Sequence, residues 1–191
     1  IPPTAMVGVV GVLEVDKRAE MGFRRPGEVL LLIGEERGEL GASEVLYLLT
    51  GKEFGHPPRL DLGREKAVQE AIRDLIQRGL TRTAHDVAEG GLLLALAEMT
   101  FPYGVGATVE VREEGLEALF GEAPSRVLFT VEKTRLQEAT LLLEERGLPY
   151  RVLGETGGKS LTVLTPGGVL ERSLEELLSA WTAPPREVLD G

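Results

Sequence analysis

The stretch at residues 83–92 constrains the fold more than any other part of this 191-residue chain. It carries the motif HDVAEGGL and runs directly into apolar residues that form helices well. A short strand is predicted at 80–84, and Asp86 follows at the point where that strand ends. Gly90 and Gly91 provide backbone freedom where the chain must reverse sharply. The sequence therefore predicts a strand, a tight turn and a helix.

Such a turn suits the binding of a phosphate together with its metal ion. The first N–H groups of the helix and the positive end of its dipole would face the phosphate, while the Asp86 carboxylate would bind the metal. A simpler interpretation is that Gly90 and Gly91 only let the helix pack on the sheet, with Asp86 as a turn cap. The spacing alone does not choose between the two interpretations.

The composition excludes several classes of function. The chain has no cysteine and only two histidines, which excludes disulfides, thiolate metal sites, cysteine nucleophiles and histidine-rich metal sites. A formal net charge of −10 disfavours binding to nucleic acids. No apolar run reaches the roughly 18 residues of a membrane span, so no membrane association is expected. Sixteen arginines against five lysines, without any asparagine, indicate a heat-adapted source.

The first residues predict the end of a different domain. The chain begins at Ile1 without an initiator methionine, and residues 5–15 form a β-rich run of the kind that completes a sheet. Residues 16–26 are charged and turn-prone, which predicts a domain boundary at their start. We therefore expect the sequence to be a piece of a longer protein.

The remaining pattern predicts an α+β domain with a mixed β-sheet covered by helices. Strands are predicted at 28–34, 106–111, 127–131, 151–153 and 160–164, with the last two joined as a pair by the turn at 157–158. Helices are predicted at 44–49, 61–78, 92–101, 117–120, 134–146 and 173–181. Capping boxes begin the last two helices, with Thr134 and Gln137 in one and Ser173 and Glu176 in the other. The tail after the last helix is expected to be partly mobile.

Two other loops are candidates for ligand contact. The loop before Ser43 either contacts a ligand or only caps a buried helix through the serine hydroxyl. Residues 122–126 place an acid, a hydroxyl and an arginine in a tight loop, where they either contact phosphate or ribose or form an exposed ion pair. The sequence contains no Walker, Rossmann or serine-elbow motif. Spacing alone therefore indicates a phosphate-binding α+β domain and no specific reaction.

Five short motifs occur in an order that is more specific than any one of them. They are the Ile-Pro-Pro-Thr start at 1–4, a Val-Gly-rich segment at 7–11, and the motifs at 39–44, 85–92 and 97–99. Together they resemble the C-terminal part of the phosphoribosylformylglycinamidine synthase family, which is related to aminoimidazole ribonucleotide synthetase. The resemblance covers about the first two thirds of the chain, and the rest is compatible in its pattern of elements.

The resemblance implies an organisation and an activity. Residues 1–15 would be the terminal strand of an ATP-binding domain, and residues 16–191 a C-terminal α+β domain like that of aminoimidazole ribonucleotide synthetase. The longer enzyme would use ATP and Mg²⁺ to amidate formylglycinamide ribonucleotide in purine biosynthesis. Its partners would be the upstream ATP-binding domains, a glutaminase subunit that delivers ammonia and a small accessory subunit. The catalytic residues would lie upstream, so no catalytic residue is assigned here and the chain alone is expected to be inactive.

The resemblance also implies roles for residues of the turn. Asp86 would ligate the Mg²⁺ of an ATP or ADP, and Gly90 and Gly91 would belong to the nucleotide-binding turn. Ala88 stands where relatives often carry a serine, so it offers no hydroxyl to the nucleotide. Ala42 replaces a usual glycine in the earlier loop. Whether Asp86 serves a catalytic or a structural nucleotide site stays open.

Two further interpretations of the chain also stay open. It is either a structural docking module without a ligand of its own, or the equivalent domain of a sister family such as thiamine-monophosphate kinase. We expect the longer enzyme to be cytoplasmic. Because removal of an upstream domain would expose an apolar face, self-association of the isolated chain is expected.

Overall fold

The computed structural model describes residues 7–52 and 54–183, which form one seven-stranded sheet and six α-helices. The strands are β1 Val29–Ile33, β2 Thr83–Asp86, β3 Ala107–Glu110, β4 Val127–Val131, β5 Tyr150–Thr156, β6 Ser160–Thr165 and β7 Gly168–Ser173. The helices are α1 Glu44–Thr50, α2 Leu62–Gln77, α3 Gly91–Thr100, α4 Leu116–Phe120, α5 Leu136–Glu145 and α6 Leu174–Thr182. Short 3-10 helices occur at Val15–Lys17 and Lys133–Arg135.

The sheet is mixed, which confirms the predicted α+β class. Its strand order is β2-β4-β1-β5-β3-β6-β7. β3 and β6 run parallel to each other, whereas the other neighbouring pairs are antiparallel. β1 lies in the interior of the sheet, and all five of its residues are buried. The continuous apolar run in β1 is therefore explained by a strand that is covered on both faces.

Helices cover both faces of the sheet. On one face, β1 side chains such as Leu30 belong to a core with Leu96 of α3. On the other face, Leu31 belongs to a second core with Leu75 of α2 and Leu143 of α5. Successive residues of a strand point to opposite faces, so β1 contributes to both cores in alternation. Because helices pack on both faces of the sheet, the ends of its strands are held in place, and the candidate site lies at these ends.

β2 begins later than the prediction of a strand at 80–84. α2 ends at Gln77 and is followed by the left-handed Gly79, after which the N–H of Leu80 donates to the carbonyl oxygen of Leu75 at 2.9 Å. This bond is typical of a Schellman ending, so the residues predicted to begin the strand instead close the helix. β2 then pairs with β4 at one edge of the sheet. Asp86 is the last residue of the strand, as predicted.

The predicted hairpin over residues 151–164 is wrong. β5 and β6 both form, but β3 lies between them. Gly106, just before β3, accepts a hydrogen bond from the N–H of Gly157 at 2.7 Å and donates one to the carbonyl of Gly158 at 3.1 Å. A Cβ on Gly106 would collide with the carbonyl oxygen of Ser160. The missing side chain therefore lets the β5–β6 connection close over the start of β3.

Local capping signals have mixed outcomes. The Ser173 and Glu176 capping box is present at the start of α6. The box predicted from Thr134 and Gln137 is wrong, because Lys133–Arg135 forms a 3-10 turn and α5 begins without a side-chain cap. The sequence also does not predict β7, whose residues are exposed or half-buried and show no apolar alternation.

The first described residues lie outside this sheet. Residues 7–14 are exposed and, within the described part of the chain, belong to no strand. The assignment of 1–15 to a preceding domain therefore stays a prediction, since a terminal strand needs its own sheet to pair with. The Ile-Pro-Pro-Thr motif at 1–4 and the tail at 184–191 lie outside the described residues. Among the helices described, none has the length and apolar character needed to cross a membrane.

Candidate functional site

Three loops that the sequence marks separately meet at one end of the sheet. They comprise residues 38–44, 86–91 and 120–126, and we call them the loop cluster. Glu39 and Glu122 join two of these loops, because each donates its N–H to the carbonyl oxygen of the other, at 2.9 and 2.8 Å. β1 and β2 end here and β4 begins here. The cluster therefore gathers every sequence-predicted site residue on one surface.

The Glu122 carboxylate connects the starts of two helices. Its Oε1 accepts hydrogen bonds from the N–H of Gly90 at 2.9 Å and from the N–H of Glu44 at 3.1 Å. An acidic side chain at a helix N-terminus is favourable because it balances the helix dipole. The N–H of Gly90, which the sequence assigns to a phosphate, is thus already bonded to a carboxylate. The sequence offers no local signal for this link.

Gly90 and Gly91 both adopt left-handed backbone conformations, with φ of +73° and +68°. A Cβ on Gly91 would lie 2.5 Å from the carbonyl carbon of Phe120, and a Cβ on Gly90 would clash with the Leu94 side chain. The N–H of Gly91 donates to the carbonyl oxygen of Ala88 at 3.1 Å. Backbone geometry and close packing explain both glycines, and their contact with a nucleotide stays a prediction.

Asp86 points outward from the end of β2, with 75% of its side chain exposed. The neighbouring His85 is largely buried and lies between two carboxylates: its Nδ1 is 3.2 Å from Oδ1 of Asp86, and its Nε2 is 3.0 Å from Oε2 of Glu98 on α3. A neutral imidazole carries a single N–H, so it donates to only one of the two carboxylates at a time. His85 therefore lies within hydrogen-bond distance of both Asp86 and Glu98, an arrangement that sequence reasoning missed although His85 adjoins Asp86.

Arg126 is buried and does not reach towards a ligand. Its Nε, Nη1 and Nη2 donate to the carbonyl oxygens of Glu35, Gly121 and Glu36, at 2.9, 2.8 and 2.6 Å. Burial away from water lowers the pKa of Arg126 to about 10. Neither sequence interpretation, a phosphate contact or an exposed ion pair, describes this residue. Its guanidinium instead ties together the loops that follow β1 and α4.

The surface around Asp86 is acidic. Two grooves flank residues 86–89, with volumes of about 600 and 710 Å³. Six carboxylates line them, against the single guanidinium of Arg126: Glu44, Glu65, Asp86, Glu89, Glu98 and Glu122. The larger groove also has an apolar wall that includes Leu48 and Trp181. A bare phosphate would be repelled here, so an anionic ligand needs a cation between itself and the protein.

Asp86 suits a magnesium ion that is shared with a ligand. The described residues contain no group of three or more His, Cys, Asp or Glu side chains placed to hold a metal. Mg²⁺ in phosphate sites is commonly bound by one or two carboxylates, with the other ligands supplied by phosphate oxygens and water. An exposed carboxylate at a strand end fits that pattern, whereas a metal site built by this chain alone is not present in its described part.

Comparison with known proteins shows which family the chain resembles in sequence. Residues 25–165 match the family model described as AIR synthase related protein, C-terminal domain. Over all 191 residues the chain is 98% identical to phosphoribosylformylglycinamidine synthase subunit PurL of Thermus thermophilus, and it covers 26% of that protein. It is 44% identical over 185 residues to PurL of Moorella thermoacetica and covers 25% of that protein. The chain thus spans about a quarter of the length of these relatives.

Solved structures share the fold at lower identity. Thermotoga maritima PurL complexed with FGAR superposes with a TM-score of 0.75 at 20% identity, over 85% of this chain and 30% of that chain. The same protein complexed with ATP gives a TM-score of 0.70 at 21% identity, over 87% of this chain and 28% of that one. Escherichia coli HypE gives a TM-score of 0.56 at 16% identity, over 82% of this chain and 52% of that chain.

Proposed function

Because the chain belongs to the family of AIR synthase related proteins, through their C-terminal domain, we propose that it acts as the C-terminal domain of a phosphoribosylformylglycinamidine synthase. The observation that supports this most strongly is its 98% identity to the Thermus PurL subunit along its whole length. The proposed reaction of the longer enzyme is the ATP-dependent amidation of formylglycinamide ribonucleotide in purine biosynthesis. This chain contributes a nucleotide-binding surface, and on its own it is inactive.

In this proposal, Asp86 binds the Mg²⁺ that accompanies an ATP or ADP. The bound ion supplies the positive charge that lets an acidic surface hold a phosphate. His85 lies between Asp86 and Glu98, 3.2 Å from the Asp86 carboxylate and 3.0 Å from that of Glu98, and orients Asp86 when its Nδ1 carries the proton. Gly90 and Gly91 shape the turn that brings the start of α3 beside Asp86. The nucleotide would otherwise be held by the upstream domain.

The proposed partners follow from the relatives. T. maritima PurL has been solved with ATP, with ADP and with FGAR, and also in the assembly called PurLQS. We extend these ligands, a glutaminase subunit and a small accessory subunit to the longer protein that carries this chain, and we place it in the cytoplasm. Leu48 and Leu49 of α1 are apolar and 78% and 65% exposed. They offer a surface for contact with the upstream domain or for self-association.

The test measures the nucleotide retained by the longer synthase that carries this chain. Wild type and Asp86→Asn are purified in Mg²⁺ and denatured, and the released ADP and ATP are quantified per protein chain. We expect Asp86→Asn to retain at least about tenfold less nucleotide per chain than wild type, because the metal loses a charged ligand. The matched control is Glu114→Gln, which removes an equal charge from an exposed residue outside the loop cluster. Equal retention by Asp86→Asn and wild type would refute the proposed role.

A second function, a docking module without its own ligand, is favoured by one observation. The N–H of Gly90 is already bonded to Glu122 at 2.9 Å, so the helix start is satisfied without a phosphate. In that case Asp86→Asn leaves nucleotide retention and activity unchanged but Glu122→Gln weakens the loop cluster. The retention assay on Asp86→Asn distinguishes the two functions, and a denaturant titration of Glu122→Gln measures the weakening of the loop cluster.

A further inference from the structure

A second concave surface lies at the opposite end of the sheet from Asp86. There β1 and β2 begin and β4 ends, and a cleft of about 380 Å³ opens beside the strand ends. β2 separates the two surfaces, and its length of four residues corresponds to roughly 13 Å. Five arginines line this second surface, which we call the arginine cleft: Arg18, Arg24, Arg25, Arg82 and Arg135.

The charge of the arginine cleft is opposite to that of the chain as a whole. Three acidic residues also line it, Asp16, Glu28 and Glu132, so positive charge exceeds negative charge in the lining. The whole chain has a formal net charge of −10. A positive concave surface concentrates small anions locally, whereas the negative charge of the rest of the protein repels long polyanions such as nucleic acids.

The acidic residues of the cleft leave much of this positive charge unmatched. Oε2 of Glu28 accepts a hydrogen bond from the Thr130 hydroxyl at 2.6 Å, so it is oriented by the sheet. Glu132 pairs with Arg25 at 3.3 Å, but these side chains are 60% and 68% exposed, and an ion pair in water contributes little. Arg18 and Arg135 pair with Glu20 and Glu138, which lie outside the cleft lining.

Arg24 and Arg82 differ from the other arginines of the cleft. In the described part of the chain, neither guanidinium forms an ion pair or a side-chain hydrogen bond, whereas the other three each pair with a glutamate. Nη2 of Arg82 lies 4.0 Å from the position that a Cβ of Gly79 would occupy, so the helix-ending glycine leaves the guanidinium uncrowded. Two such cations in one cleft repel each other, and an anion between them would remove the repulsion.

We propose that the arginine cleft binds a phosphate-bearing anion of small-metabolite size, held by Arg24 and Arg82. The planar guanidinium presents a fork of N–H donors that matches two oxygens of one phosphate group. The cleft volume of about 380 Å³ lies at the lower end of the range for small-molecule sites, which suits a compact ligand. This site needs no metal ion and does not depend on the proposed role of Asp86.

The test is a calorimetric titration of the purified chain with inorganic pyrophosphate at low ionic strength, without divalent cations. We expect saturable binding that Arg24→Gln/Arg82→Gln weakens at least about tenfold, because two charged contacts are lost. Citrate, which carries carboxylates in place of phosphates, should bind more weakly than pyrophosphate. Asp86→Ala should bind pyrophosphate as wild type does, since it alters only the other end of the sheet.

The matched control is Arg73→Gln/Arg112→Gln, which removes the same charge from two exposed arginines outside the cleft. Its affinity for pyrophosphate should fall by less than about threefold, because only the overall electrostatic field of the protein changes. The proposal is overturned if wild type shows no saturable binding, if both double variants weaken equally, or if citrate binds as well as pyrophosphate. Near-ultraviolet circular dichroism of all variants shows whether they remain folded.

Discussion

The grooves beside Asp86 and the arginine cleft lie at opposite ends of the same strands and are lined by opposite charge. In the two grooves at one end, five other carboxylates surround Asp86, and Arg126, the single arginine lining those grooves, is buried and bonded to three carbonyl oxygens. At the other end, five arginines line a cleft, and two of them, Arg24 and Arg82, form no ion pair among the described residues, although the pKa of the nearby Glu20 is lowered by a tyrosine hydrogen bond and also by the charge of Arg24. The capacity to bind an anion therefore depends less on the number of arginines than on whether each guanidinium already has hydrogen-bond or ion-pair partners in the protein.

This difference separates two ways of holding a phosphate. An acidic surface needs a metal ion between itself and the ligand, whereas unpaired guanidiniums contact phosphate oxygens directly. Removal of the metal should therefore weaken phosphate binding beside Asp86 but not in the arginine cleft. Substitution of Arg24 and Arg82 should weaken phosphate binding in the arginine cleft but not beside Asp86. The stability of the fold should also depend on Arg126 and very little on Arg24.

The largest effect is expected from Arg126→Met, which leaves the carbonyl oxygens of Glu35, Glu36 and Gly121 without their shared donor. We expect a loss of about 3 to 5 kcal/mol in the free energy of unfolding, measured by denaturant titration. Arg24→Met is the matched variant from the other end, and it should change the free energy by less than about 0.5 kcal/mol. Similar losses for both variants would remove the distinction between a structural and a ligand-binding arginine.

Gly91→Ala should have the next largest effect. The new Cβ would lie 2.5 Å from the Phe120 backbone at a φ of +68°, so both packing and backbone are strained. We expect a loss of about 3 kcal/mol in unfolding free energy. Gly51→Ala is the control, since Gly51 has a φ of +66° but nothing within 4 Å of its Cβ position, and it should cost about 1 kcal/mol. Equal costs would mean that packing against α4 does not constrain the turn.

Removal of Mg²⁺ should weaken ligand binding beside Asp86 but not in the arginine cleft. Chelation should weaken ADP retention by the longer synthase at least about tenfold, because Asp86 reaches the phosphate through the ion. Chelation should leave pyrophosphate binding in the arginine cleft unchanged or stronger, since free pyrophosphate carries more negative charge than its magnesium complex. Parallel titrations with and without EDTA measure both effects. Weaker pyrophosphate binding after chelation would show that the cleft also depends on a metal.

The smallest effect is expected from Ala42→Gly in the loop before α1. Ala42 adopts a left-handed backbone conformation with a φ of +57°. This conformation is less favourable in free energy for a residue with a Cβ than for glycine. We expect Ala42→Gly to raise the unfolding free energy by about 0.5 to 1 kcal/mol, partly offset by the greater freedom of glycine in the unfolded chain. A thermal melt of the two proteins measures it. A lower melting temperature for Ala42→Gly would contradict the strain assigned to this loop.

Features encoded by neighbouring residues were predictable from the sequence. The Ser43 cap on α1, the Ser173 and Glu176 capping box, and the buried run of β1 all agree with the structure. The order of strands was not predictable in the same way. β3 lies between β5 and β6 because Gly106 admits a connection formed some fifty residues later, and only the folded chain shows that contact.

In the candidate site too, the features encoded by neighbouring residues were predictable and the long-range contacts were not. The position of Asp86 at a strand end follows from local sequence, and the structure places it there. The bond between Gly90 and Glu122 spans 32 residues, and that between His85 and Glu98 spans 13, so neither leaves a local pattern. The arginine cleft likewise gathers residues from four separate segments of the chain. The separation of the acidic grooves beside Asp86 from the arginine cleft is therefore seen only in the folded structure.

Direct ligation of Mg²⁺ by Asp86 is tested most sharply by exchanging its carboxylate for a thiolate. The chain has no cysteine, so Asp86→Cys introduces the sole thiol of this domain, and thiolates prefer Zn²⁺ to Mg²⁺. In the longer synthase, we expect Asp86→Cys to lose Mg²⁺-dependent nucleotide retention and to regain it with Zn²⁺. Asp86→Ser should lose retention with both ions. Full retention with Mg²⁺ in both variants would contradict the metal-binding role of Asp86.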